Sequence, residues 1–496
     1  MRPTDRSAPR SLVHRFQARA ARRPGATALV WRHTEVDYGG LHRLARAAYA
    51  RLDALGLPPG APVGVLAAKS PDAIALVLAL LAQRRPFLLP SPTLAEPTLR
   101  ALFAQAGCVA VLSTEQGRPL VDHVIATDGD GPELPTASDP DEVGFMLTTS
   151  GSTGLPKVVP LSTGATARFA DWAAAEFDIG PHRTVLSYAP LNFDLSLLDL
   201  WTTLAAGGRV VLAEADHSTR GAYLLDLLVA HEVNVVQAVP MFFQLLADHT
   251  RTPVSTVDHV IVTGDVLPER CLAALPDLFP NARLHNLYGC TETNDSFLHE
   301  IDPGAGVPVP LGKPISGVDA VLVDSDGAVI DGPGVGELHV RTPFQTAGYL
   351  DPALDADRFG PGPGGRAGRY FRSGDLVRRH PDGQLTLEGR TDFQVKVRGV
   401  RINPQEVERV LLAHPDVAEA AVLALPDPVA GTALHAFVGR RDRSLNSLAV
   451  RKHCADRLPR QAIPSAVHLL DTPLPRTATG KPDRARITRD HVEKGT

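Results

Sequence analysis

The chain predicts an α/β fold. It reads as a large N-terminal domain of two α/β subdomains with mostly parallel sheets and a small β-rich subdomain, followed by a separate α+β C-terminal lid. Two observations carry the first part: helical and strand-like apolar runs alternate over residues 28–112 and again over 184–262, the pattern of βα units that builds parallel sheets. A third carries the rest. Past Leu311 the texture changes to short strands punctuated by Gly and Pro, and then to helix and strand again.

Taken in order, residues 11–23 read as an amphipathic helix, basic but without the apolar centre of an export signal. Helices are expected at 38–55 and 72–83, with extended runs at 62–66, 86–89 and 108–112. The apolar run 73–82 is too short to span a bilayer and reads as a buried helix. The run 143–147 reads as a buried strand. The second α/β stretch predicts strands at 185–187, 209–212 and 233–238 and helices at 195–206 and 223–232. The β-rich part predicts strands at 320–323, 336–340 and 384–388, with a Gly/Pro-rich, exposed and mobile loop at 359–368. The lid predicts helices at 404–413 and 447–458 around a strand at 418–425. The domain boundary is placed at Asp392, giving domains 1–391 and 392–496.

At 496 residues the chain is too long for a single core. Its 44% hydrophobic and 21% charged residues are those of a globular protein. Fifty basic against fifty-five acidic residues leave a net charge of −5, with no basic stripe for nucleic acid or an anionic membrane. The four cysteines, Cys108, Cys271, Cys290 and Cys454, form no Cys-x-x-Cys pair. They read as reduced thiols of a cytoplasmic enzyme rather than a disulfide framework or zinc site.

Chemistry first appears after the strand at 143–147. Thr148, Thr149, Ser150, Gly151, Ser152, Thr153, Gly154 and Lys157 supply hydroxyls, unencumbered backbone N–H groups and one ammonium in a tight loop. Glycines allow close approach to an anion, and successive N–H groups form an anion-binding nest. The stretch suits a polyphosphate, yet it is not a Walker A loop.

Six further segments follow. They are Asn192-Phe193-Asp194-Leu195-Ser196, Asn286-Leu287-Tyr288-Gly289-Cys290-Thr291-Glu292, and Gly336-Glu337-Leu338 leading to Gly348-Tyr349-Leu350. Then come Tyr370-Phe371-Arg372-Ser373-Gly374-Asp375-Leu376, Gly389-Arg390-Thr391-Asp392-Phe393-Gln394-Val395-Lys396-Val397-Arg398-Gly399, and Thr479-Gly480-Lys481-Pro482-Asp483-Arg484. Together with the loop, and in this order, they resemble the core motifs of the adenylate-forming superfamily. The resemblance is greatest to nonribosomal peptide synthetase adenylation domains and to free-standing amino-acid adenylation enzymes such as L-prolyl-AMP ligases.

The resemblance implies that ATP activates a carboxylate to an acyl-adenylate and that the acyl group then passes to a thiol. Carboxylate meeting phosphate is anion meeting anion, so a site for this reaction must neutralise charge and hold the atoms in line. By resemblance Lys481 is the catalytic lysine, a compact ammonium able to bridge both anions. Thr291 would bind the α-phosphate and Glu292 would hold Mg²⁺. Tyr288 would stack on the adenine, Gly289 would be an ATP-binding position beside it, Asp375 would take the ribose hydroxyls, and Arg390 would lie near ribose and phosphate. Asp392 matches the hinge about which the lid turns, and Lys396 to Gly399 the face exposed for thioester formation. Taken singly, Lys481 reads as a solvated lysine, Asp375 as a turn residue and Tyr288-Gly289 as a loop anchor.

Asp194 matches the carboxylate that pairs with the α-ammonium of an amino acid. The competing reading is that Asp194 or Ser196 caps the helix expected from Leu195. Leu195, Leu198, Gln237, Ile261, Thr263, Leu287, Asp295 and Ser296 match the remaining pocket positions. Asp194-Leu195 with Leu198, within residues 191–201, resembles the free-standing L-prolyl ligases, which implies L-proline, and a mostly aliphatic wall suits its small apolar ring. Asp295 and Gln237 fit that ring poorly and suggest another small, polar or modified amino acid. Val158, Cys290, Ser373 and Thr479 stand where glycine, proline, threonine and asparagine are usual. No carrier-protein serine motif follows Lys481, so the expected acceptor is a separate phosphopantetheine-bearing carrier protein. An acyl-CoA ligase and a non-catalytic nucleotide-binding protein are the competing functions.

Overall fold

A computed structural model describes residues 11–94, 96–137, 139–149, 156–391, 395–397, 400–402, 404–427, 431–458, 462–477 and 480–494. The chain divides into two compact units, residues 1–320 with 339–372 and residues 321–338 with 373–496.

The first unit is built on two largely parallel sheets. The larger has nine strands. Its parallel centre runs Thr27–Trp31, Arg209–Leu212, Thr184–Ser187, Val235–Ala238, His259–Thr263, Arg283–Cys290, and antiparallel strands close both edges: Thr34–Asp37 at one, Asn294–Glu300 and Lys313–Pro314 at the other. The smaller sheet has six strands. His123–Val124, Val111–Ser113, Val63–Val65, Phe87–Leu88 and Val143–Thr149 are parallel, and Lys157–Ser162 is added antiparallel. One continuous core joins them, with Phe87 and Phe145 from the smaller sheet and Val185, Val210 and Val235 from the larger.

The helix Pro71–Ala82 lies inside that core, and every side chain from Ala73 to Leu80 is at most 1% exposed. A helix apolar all round is stable only when enclosed. Its start is set locally: Ser70 accepts a hydrogen bond from the Ala73 N–H at 3.2 Å, and Pro71 occupies the first turn where its missing N–H costs nothing. The helices Leu12–Arg22, Tyr38–Ala54 and Gly221–Ala230 also lie where the periodicity predicts them.

Five strands form the small β-rich sheet, Asp319–Val323, Gly334–Arg341, Phe359–Pro361, Arg369–Arg379 and Leu385–Arg390. The C-terminal part has an α+β arrangement. Val417–Asp427 pairs antiparallel with Gly431–Arg440, which pairs parallel with Ala466–Leu470. The helices Pro404–Leu412 and Ser447–Ala455 contribute Val407, Leu411, Val450 and Cys454 to its core.

Three expectations need correction. The loop expected at 359–368 begins as a strand, Phe359–Pro361, paired antiparallel with Arg369–Phe371, because Phe359 is drawn into the core against Phe371. The helix expected at 195–206 is a π-helix, Leu197–Thr202, followed by one α-turn, Thr203–Ala206. The hydroxyls of Thr202 and Thr203 donate to the carbonyls five residues back, Leu197 at 2.7 Å and Leu198 at 3.5 Å, in step with the wider winding. Finally, Thr148, Thr149 and Lys157 belong to strands rather than to a loop. Thr148 pairs with Val158 and Thr149 with Lys157 in an antiparallel hairpin, and Ser150, Gly151, Ser152, Thr153 and Gly154 lie outside the described residues. Val158 is accounted for by this pairing, since its side chain is 1% exposed in the apolar cluster behind the hairpin.

Candidate active site

Seven of the site residues expected in the first unit, Leu287, Tyr288, Gly289, Thr291, Glu292, Asp295 and Ser296, lie on one β-hairpin. Arg283–Cys290 turns through Thr291, Glu292 and Thr293 into Asn294–Glu300. Gly289 pairs with Asp295 beside a bulge, and a Cβ at Gly289 would come within 2.5 Å of the Asn294 carbonyl oxygen, so only glycine fits. The turn places Thr291 and Glu292 at the tip, Tyr288 on one arm and Asp295 and Ser296 on the other. Ser296 is fully buried, with its hydroxyl held by Thr293 Oγ1 at 3.3 Å and the Asn294 carbonyl at 3.4 Å. Cys290 Sγ lies 3.1 Å from Thr293 Oγ1, closing the same turn by a polar contact.

Asp194 meets the hairpin tip. The Thr291 hydroxyl donates to Asp194 Oδ2 at 2.6 Å, across 97 residues of sequence. Asp194 sits on a turn, half-buried, and its carbonyl accepts from the Leu197 N–H at 2.9 Å. Ser196 is the N-cap of the π-helix but makes no side-chain cap bond, and its hydroxyl donates to the Leu191 carbonyl instead. The carboxylate is thus engaged by the hairpin, which weakens the capping reading.

Behind this pair, three adjacent parallel strands present one face. Gln237 is in register with Ile261, and Thr263 with Leu287. All four are at most 4% exposed. The π-helix packs on the strands Thr184–Ser187 and Val235–Ala238 and carries the fully buried Leu198, while Leu195 on the preceding turn is half-buried. Gln237 Oε1 is buried with no hydrogen-bond partner among the described residues, a polar atom left available inside an apolar wall.

Burial, reinforced by the neighbouring charge of Asp194, pushes the Asp295 carboxyl up to about 8. At neutral pH it is therefore protonated, and Asp194 and Asp295 do not present two full charges. A carboxyl raised in the folded state contributes stability that is complete below its unfolded value near 4 and is lost as pH rises through about 8. Asp295→Asn keeps the shape without the charge. It is expected to raise the thermal midpoint at pH 8.5 by about 2 °C or more and to change it little at pH 4.5. A difference that does not grow with pH would refute this protonation state.

One residue missing from the sequence-based set connects the hairpin tip to the Thr148–Lys157 strands. Tyr349 donates its hydroxyl to Glu292 Oε1 at 2.7 Å, and the Lys157 ammonium lies 4.9 Å from the centre of its ring, within cation–π range. The Thr346 N–H also donates to the Glu292 carbonyl, at 2.9 Å. The signal was the Gly348-Tyr349 motif, in which the tyrosine carried no assigned role.

In the second unit, Asp375 and Arg390 are opposite one another in an antiparallel pair, and Arg390 Nη1 donates to Asp375 Oδ1 at 2.7 Å. Ser373 fixes the turn before Asp375: its hydroxyl donates to the Leu338 carbonyl at 2.7 Å and accepts from the Asp375 N–H at 3.0 Å. The hydroxyl that threonine would bring is therefore present in serine. Lys481 follows Gly480, whose φ of 81° turns the chain back so that the Thr477 N–H donates to the Lys481 carbonyl at 2.8 Å. The Lys481 side chain is exposed. Lys396 lies on the strand Val395–Val397, in register with Arg401. Asp392, Gly399 and Thr479 lie outside the described residues.

Among the described residues no group of three or more His, Cys, Asp or Glu side chains could hold a metal ion, and no helix is long and apolar enough to cross a membrane.

Comparison with known proteins agrees with the motif order. The AMP-binding enzyme family matches residues 16–350, and the AMP-binding enzyme C-terminal domain matches residues 406–481. The chain is 33% identical to an L-proline--[L-prolyl-carrier protein] ligase of Pseudomonas fluorescens, over 96% of this chain and 99% of that one. It is 35% identical to the protein of the same name from Streptomyces coelicolor, over 71% of this chain and 66% of that one. Its fold matches that of the o-succinylbenzoate CoA synthetase of Bacillus subtilis in complex with an acyl-adenylate intermediate, with a TM-score of 0.84 at 23% identity, over 96% of this chain and 97% of that one. On these matches and on its own α/β architecture, the chain belongs to the AMP-binding enzyme family.

Proposed function

We propose that this chain is an ATP-dependent ligase that activates an α-amino acid as its aminoacyl-adenylate, with L-proline the first candidate. It then passes the aminoacyl group to the phosphopantetheine thiol of a separate carrier protein. The observation that carries the reading is the 2.6 Å hydrogen bond from Thr291 to Asp194. It joins the carboxylate matched to an amino-acid ammonium with the threonine matched to the α-phosphate, the two groups a bound aminoacyl-adenylate must satisfy at once. The protonated Asp295 supports a substrate with one positive charge, because only Asp194 then needs a cationic partner.

In the first step a substrate carboxylate oxygen bonds to the α-phosphorus of ATP, and the bond to the bridging oxygen breaks, releasing pyrophosphate. Asp194 holds the ammonium and Thr291 an α-phosphate oxygen. Lys157, with the hydroxyls and N–H groups of residues 148–154, holds the departing phosphates. Asp375 accepts from the ribose hydroxyls beside Arg390, Tyr288 stacks on the adenine beside Gly289, and Lys481 bridges carboxylate and α-phosphate as charge builds. Glu292 suits Mg²⁺: a lone carboxylate steadied by Tyr349 fits an ion that keeps several waters and leans on substrate phosphates rather than on a protein cage. Bound there, Mg²⁺ would neutralise phosphate charge. In the second step the carrier thiol adds to the acyl carbonyl, loses its proton, and AMP departs. A hinge at Asp392 and the face from Lys396 to Gly399 belong to this second step.

Amino-acid-dependent ATP–pyrophosphate exchange across proteinogenic and modified amino acids tests the proposal. The expected result is exchange with L-proline or a close relative, and aminoacylation of a holo-carrier protein but not of coenzyme A. Absence of exchange across the panel would remove the catalytic reading. Thioester formation on coenzyme A would change the acceptor.

A further inference from the structure

The mechanism above makes no use of Lys69, a half-buried residue. Its backbone is fixed, because it directly precedes the Ser70 cap of the enclosed helix Pro71–Ala82. Its ammonium donates to the carbonyl of Ser187, to Ser187 Oγ at 3.3 Å and to the carbonyl of Ala189 at 2.9 Å. Ser187 ends the strand Thr184–Ser187, and the chain that leaves it reaches Asp194 and then the π-helix.

Asp199 answers from that π-helix. It is 0% exposed, and its carboxylate accepts a hydrogen bond from the backbone N–H of Ala189 at 3.4 Å, with the Ser187 hydroxyl and the Tyr188 N–H facing it. Lys69 and Asp199 therefore both hold Ala189, one through its carbonyl and the other through its N–H, and Lys69 also holds Ser187. Burial pulls the Lys69 ammonium down and pushes the Asp199 carboxyl up, and their mutual attraction opposes both shifts. A buried pair of charges is a poor route to stability, since apolar residues of similar volume often serve as well. What apolar residues cannot supply is the set of directed hydrogen bonds that fixes the path of the backbone at 187–189.

We propose that Lys69 is a positioning residue for the amino-acid pocket: with Asp199, through Ser187 and Ala189, it fixes both ends of the segment that holds Asp194. The inference rests on the reading of Asp194 given above.

The test is the double variant Lys69→Met/Asp199→Leu, which strands neither charge. With folding confirmed by its thermal midpoint, it is expected to raise the amino-acid KM in ATP–pyrophosphate exchange about tenfold or more while the ATP KM stays within about twofold. Amide hydrogen exchange over residues 188–196 should accelerate, and that of the strand His259–Thr263 should not. A folded double variant with the wild-type amino-acid KM and wild-type protection over 188–196 overturns the proposal. If the double variant does not fold, Asp199→Asn is measured instead, with an expected rise in amino-acid KM of about fivefold. An unchanged KM in that variant also overturns it. Should the wild type activate no amino acid, the function assigned to Asp194 fails, while hydrogen exchange still decides whether Lys69 holds the segment.

Discussion

Lys481→Ala is expected to lower amino-acid-dependent ATP–pyrophosphate exchange by about 10²- to 10³-fold or more, the scale on which losing one preorganised charge at a reacting centre is felt. Binding of ATP, followed by calorimetry, should change by no more than about threefold, because on the proposed assignment the ammonium acts where charge develops rather than on the resting nucleotide. The geometry makes the experiment clean. Lys481 is exposed at the end of a turn closed by backbone hydrogen bonds of Thr477 and Gly480. Removing an exposed side chain changes stability by only about 0.5 kcal/mol. A large loss of rate would therefore be chemical, and preserved exchange would remove Lys481 from the reaction.

The second large effect is expected at Asp194. On the proposed assignment Asp194→Ala removes the partner of the substrate ammonium, and it leaves the Thr291 hydroxyl without the acceptor it has at 2.6 Å. Truncating one member of a buried, hydrogen-bonded charge pair costs about 2–5 kcal/mol. The kcat/KM for the amino acid should fall at least about 30-fold on that scale, with the ATP KM unchanged. Asp194→Asn, which can still accept from Thr291 but carries no charge, should recover little of the loss. If ATP affinity fell in parallel, Asp194 would be shaping the turn and the hairpin tip rather than meeting an ammonium.

What could be read from sequence was what local chemistry fixes. The apolar run 73–82 announced the buried helix, and alternation of apolar runs announced the parallel strands of both sheets. The hairpin that gathers the site was hidden. Its second arm, Asn294–Glu300, carries Asp295, His299 and Glu300, and charged residues do not advertise a strand. Asp295 is tolerated there because burial keeps it protonated, a property of the folded environment that no residue pattern expresses. The π-helix was equally hidden, since Leu197–Thr202 has an ordinary helical composition and only the five-residue reach of Thr202 and Thr203 marks the wider winding. Tyr349 was visible as part of a motif, yet its bond to Glu292 joins residues 57 apart in sequence.

The hairpin Arg283–Glu300 has a consequence for how such a protein changes over evolutionary time. On the proposed assignment, Asp295 and Ser296 sort amino acids while Thr291 and Glu292, three to five residues away, serve the phosphates. Gly289 admits no side chain between the two arms, so the arms cannot shift independently. Substrate choice and turnover are thus inherited on one rigid strip of backbone. A lineage that drifts toward a new amino acid by substitution on the second arm disturbs its own rate at the same moment, and recovery must come from outside the strip, from partners such as Tyr349 that steady the tip.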